Sequence, residues 1–148
     1  MTQRKQNKLI PLIAVLVGGF IMTALCYLTY LGIVVLLEST IYASNISLLP
    51  MDTVRNGSTL VLVILYLLLY RSKVSDLVKA TVLVAPITLV SVAMILHFYQ
   101  NPVIGVILCL SLTILAVSYF RYTNQSWLYY IGPFFALILA TLYAWPRP

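Results

Sequence analysis

Chemistry in this chain has few side chains to draw on. Three of its 148 residues are acidic and one is a histidine. Two of the acids, Glu38 and Asp52, sit in the stretch LLESTIYASNISLLPMDTVRNGST, with Arg55 three residues after Asp52. His97 precedes Tyr99, Gln100 and Asn101 near the end of a later apolar run. Ionisable groups at membrane depth are costly and mark ion or ligand sites by default. Glu38, Asp52, Arg55 and His97 are therefore the candidate ligand-binding residues, grouped in an outward-facing polar pocket. Histidine changes charge near neutral pH, so His97 or Glu38 would also be the proton-transfer group of a membrane enzyme. The plainer expectation for the same residues is a helix cap at Asp52, an ion pair with Arg55 and a solvated loop.

A second charged group lies in RSKVSDLVK, where Arg71, Lys73 and Lys79 surround Asp76. Basic residues beside apolar spans are what membrane topology requires, and Asp76 is placed to cap the helix that follows. Anionic lipid headgroups are the partners expected at Arg71, Lys73 and Lys79. Nucleic acid is not expected, because no basic patch interleaved with aromatics accompanies the net charge of +6.

Several activities lack their residues. The two cysteines, Cys26 and Cys109, are far apart inside apolar runs, which fits neither a redox pair nor a metal knuckle. A single histidine cannot supply two axial haem ligands, and there is no H-E-x-x-H. No lysine stands within a span, and neither G-x-S-x-G nor a phosphate-binding loop occurs. Neither catalytic residues, a metal nor a cofactor is expected. The triplets at Asn45, Asn56 and Asn124 match a glycosylation pattern that arises by chance in chains of this kind.

The elements that position these residues are membrane helices. The chain is 62% hydrophobic and 8% charged, with a mean hydropathy of +1.03. Soluble domains carry about 25% charged residues, so an all-α integral membrane protein is expected, a single domain of five transmembrane helices. Its spans read as about 9–37, 51–70, 77–99, 102–120 and 127–145. The first run exceeds the roughly 7–15 apolar residues of a signal peptide and reads as a retained span. The second is strongly apolar only from Leu60 to Tyr70, so a crossing helix must begin near Met51 and draw Asp52, Arg55, Asn56, Ser58 and Thr59 into the membrane edge. Residues 39–50 would then lie along the interface, with Ile41, Tyr42, Ile46, Leu48 and Leu49 resting on it.

Lysine and arginine set the expected orientation. With the N-terminus inside and the C-terminus outside, Arg4, Lys5, Lys8, Arg71, Lys73, Lys79 and Arg121 lie inside, and Arg55 and Arg147 outside. A re-entrant second segment would weaken that asymmetry. Tyr119, Phe120, Tyr122, Trp127, Tyr129 and Tyr130 at one end, and Tyr143 and Trp145 at the other, read as interface anchors. The expected location is an inner or plasma membrane.

Small residues give the expected packing. Gly132, Ala136, Ala140 and Ala144 recur at every fourth position and form a smooth helix-packing face. Gly105, Cys109 and Thr113 make a weaker stripe, Ala14 and Gly18 another, and Pro86 should kink the third span. A small bundle with one smooth face suggests an accessory or regulatory membrane subunit without catalytic activity, its partner a second membrane subunit or another copy of itself. The alternatives are a small transporter or ligand-binding membrane protein using the outer pocket, and a lipid-directed enzyme.

Overall fold

The apolar runs of this chain form five α-helices, in which each segment satisfies its own backbone hydrogen bonds. The computed structural model describes residues 3–40 and 50–144. The helices are α1 (Gln3–Thr40), α2 (Met51–Arg71), α3 (Asp76–His97), α4 (Pro102–Tyr122) and α5 (Leu128–Ala144). The first four contain segments long and apolar enough to cross a membrane. α5 is shorter than expected: its 17 residues reach only about 26 Å. Among the expected interfacial residues, 41–49 lie outside the described residues, as do Trp145 and Arg147.

α3 is the hub. It packs against all four other helices, and half of its apolar window is buried, compared with 6% for α2. Glycines set the register of the parallel α1–α3 pair. A Cβ at Gly18 would stand 2.7 Å from Thr81 Cγ2, and one at Gly19 would stand 2.7 Å from Val84 Cγ2. α5 also runs parallel to α3, with Gly132 beside Ala80 and Leu83, while α4 runs antiparallel, with Gly105 against the Cα of Ile95. The result is a parallel α1–α3–α5 core flanked by antiparallel α2 and α4.

Two clusters fill the core. Val15, Tyr66, Ala80, Val84, Phe120, Tyr129 and Ala136 pack near the end that carries Arg71, Lys73, Lys79 and Arg121, hereafter the basic end. Val92, Ile95, Cys109 and Ala140 pack toward the far end. Pro86 is buried within α3, and the helix continues through it. The missing proline N–H leaves the local ladder one bond short.

Both expected acidic caps are corrected. Pro50 is the N-cap of α2 and Ser75 that of α3, and neither cap makes a side-chain bond. Asp52 and Asp76 instead lie in the first turns, where a carboxylate still complements the helix dipole.

Candidate functional site

The four outer candidates divide by element. Asp52 and Arg55 face each other across one turn of α2, and Arg55 Nη2 donates to Asp52 Oδ1 at 2.7 Å. The carboxylate is 82% exposed and the guanidinium side chain 21%. His97 ends α3 with an exposed imidazole, its ring edge-on to Phe98 with centroids 5.0 Å apart. Glu38 stands in the last turn or so of α1. Among the described residues, Glu38 and His97 make no side-chain hydrogen bond or ion pair. The α1–α3 register accounts for the separation. Counting from the Gly18–Thr81 contact, Val34 is level with His97, so Glu38 projects about 6 Å beyond it.

The structure adds a groove that the sequence did not reveal. It lies between the far halves of α2 and α3 and encloses about 350 Å³. Its polar residues are Asn56, Thr59 and His97, and the rest of its wall is apolar. Since α2 and α3 run antiparallel, Asn56 and His97 stand at the far end of the groove, with Val63 and Val90 at its other end, toward the basic end. Thr59 was legible as one of several polar residues drawn into the membrane edge. That it would share a wall with Val90 and Met94 depended on the α2–α3 register, which periodicity does not encode.

The basic end holds a second cluster. Tyr129 is fully buried, and its hydroxyl lies 3.4 Å from Asp76 Oδ1. Gln125 Nε2 donates to the Tyr70 hydroxyl at 2.9 Å, tying the α4–α5 turn to α2. Lys79 Nζ sits 5.7 Å from the centroid of the Tyr70 ring, in range for a cation–π contact. Phe120 packs on Tyr129 with centroids 5.4 Å apart. The interface-anchor expectation is thus corrected for Phe120 and Tyr129, which are core residues, whereas Tyr119, Tyr122 and Trp127 are exposed. Arg71 and Lys73 are exposed beside this cluster.

Gly132, Ala136 and Ala140 of the small-residue stripe are buried inside the chain. Gly132 meets Leu83 and Ala80. Ala136 joins the cluster of Val84 and Tyr129, and Ala140 that of Ile95 and Cys109. The Ala144 side chain lies outside the described residues. The weaker α4 stripe also faces α3: Gly105 approaches Ile95, and the Cys109 thiol lies 3.4 Å from the carbonyl oxygen of Ser91. No group of three or more potential metal ligands occurs among the described residues.

No family model matches the chain, and no curated protein or solved structure shows significant similarity to it.

Proposed function

We propose that this chain is an accessory or regulatory membrane subunit that acts by associating with another membrane protein through α2. The observation that supports this reading is the outward face of α2. Thr53, Gly57, Ile64, Leu68 and Arg71 fall on one helical stripe, and all are exposed. A Cβ at Gly57 would meet nothing within 4 Å. Helices associate in lipid by close packing at small residues and by hydrogen bonds from polar ones, because lipid tails offer no hydrophobic gain. Thr53 and Gly57 supply both features on the helix least held by its own bundle. The α5 stripe, covered by α3, is not offered to a partner.

In this proposal all five helices span an inner or plasma membrane, with the N-terminus inside and the C-terminus outside. The basic end then faces inward, where Arg71, Lys73 and Lys79 attract anionic lipid headgroups. Lys79 is partly engaged with Tyr70, so Arg71 and Lys73 carry most of that attraction.

A photoreactive residue placed at Ile64 or Leu68 tests the association in native membranes. It should crosslink to one protein species at fixed stoichiometry, while the same probe at Leu115, exposed on α4, should not. Equal, diffuse labelling from both helices would refute the proposal. The transporter and lipid-directed enzyme readings require Glu38 or His97 to work with the other outer charges. The observed geometry gives them only the Asp52–Arg55 pair.

A further inference from the structure

We propose that the groove between α2 and α3 holds one phospholipid with an amine-bearing headgroup. Its acyl chain would lie on Val63, Val90 and Met94, and its headgroup at Asn56, His97 and Asp52. The polarity of the groove runs in the order of such a molecule. Asn56 and His97 stand at the mouth, and the wall becomes apolar toward Val63 and Val90. Asp52, Asn56, Thr59 and Val63 follow one another at i, i+4, i+7 and i+11, so they share one face of α2. The Asp52 carboxylate therefore stands directly beyond the mouth of the groove.

Charge selects the occupant. Asp52 Oδ1 accepts from Arg55, and the second carboxylate oxygen remains for an ammonium group. The Asn56 amide and the His97 imidazole supply donors for the phosphate between that ammonium and the chain. The mouth thus carries the Asp52–Arg55 ion pair, with no net charge, beside two hydrogen-bonding side chains, and suits a zwitterion better than an anionic headgroup. The volume of about 350 Å³, near the low end of the roughly 300–1,000 Å³ usual for small-ligand sites, takes the headgroup region and the upper part of one acyl chain, the rest of the lipid lying outside the groove. The Thr53–Leu68 face of α2 used in the proposed association lies on the adjacent side of the helix and meets the groove at Leu60.

Native mass spectrometry of the full chain tests this with two added probes, phosphatidylethanolamine and phosphatidylglycerol. The wild-type chain should retain one phosphatidylethanolamine in preference to phosphatidylglycerol. Val63→Trp and Ala93→Phe fill the groove from α2 and α3 and should abolish retention. Asp52→Asn, at an exposed residue, should lower phosphatidylethanolamine retention about tenfold, the loss of one charged hydrogen bond. It should not lower phosphatidylglycerol retention, because Arg55 keeps its charge. Equal retention by the wild type and either folded groove-filling variant would overturn the proposal. So would a preference for phosphatidylglycerol, or undiminished retention by Asp52→Asn, a readout that stands even if both groove-filling variants misfold.

Discussion

Tyr66 and Tyr129 occupy the same core cluster, yet their hydroxyls differ in circumstance. The Tyr129 hydroxyl has Asp76 at 3.4 Å. The Tyr66 hydroxyl is buried and makes no hydrogen bond among the described residues. A buried polar group without a partner costs free energy, whereas one with a partner contributes modestly. Tyr66→Phe should therefore stabilise the chain, by up to about 1 kcal/mol. Tyr129→Phe should destabilise it by about 0.6 kcal/mol, the average for interhelical hydrogen bonds in membranes. Unfolding in mixed micelles measures both, and the opposite signs are the point of the comparison. Equal effects of the two changes would mean that the Tyr129–Asp76 contact contributes nothing specific.

Among the elements, glycine separates helix seams from open faces. A Cβ at Gly105 would stand 3.0 Å from the Cα of Ile95, a backbone atom that cannot swing aside. Gly105→Ala should cost about 1–3 kcal/mol by overpacking, and Ala140→Leu, in the α3–α5 seam, should cost as much. Gly57→Ala meets open space and should stabilise α2 by about 0.5–1 kcal/mol through lower unfolded-state freedom. Thermal unfolding of the isolated chain distinguishes them, and a cost at Gly57 matching that at Gly105 would contradict the packing described. The helices themselves were legible because an apolar run near 20 residues has one stable form in lipid. Each apolar run lies on one of the five helices, and α1 extends beyond its apolar run at both ends. The relative heights of the helices were not legible. Gly18 and Gly19 seat α1 on Thr81 and Val84, which carries Glu38 past His97. For the same reason Tyr129 looked like an interface anchor: an aromatic near a span end serves equally as anchor or core until its neighbours are known.

For the molecule as a whole, the distribution of polar groups matters more than the size of the core. Arg71, Lys73, Lys79 and Arg121 gather at one end, around a single acid, Asp76. At the far end, Asp52 and Arg55 pair with each other. Between the ends the outward surfaces are mostly apolar, with Thr29 and Ser111 exposed singly; the clustered exception is the far half of α2, where Thr53, Asn56 and Gly57 are exposed. That exception unites the proposed partner face and the proposed lipid groove on two adjoining sides of one helix. Native mass spectrometry of the tagged chain, extracted gently from its own membranes, tests the association through α2. A second protein should appear at fixed stoichiometry and be lost when Gly57 and Ile64 are both replaced by Trp. A chain that emerges without a protein partner, unchanged by those replacements, would contradict it.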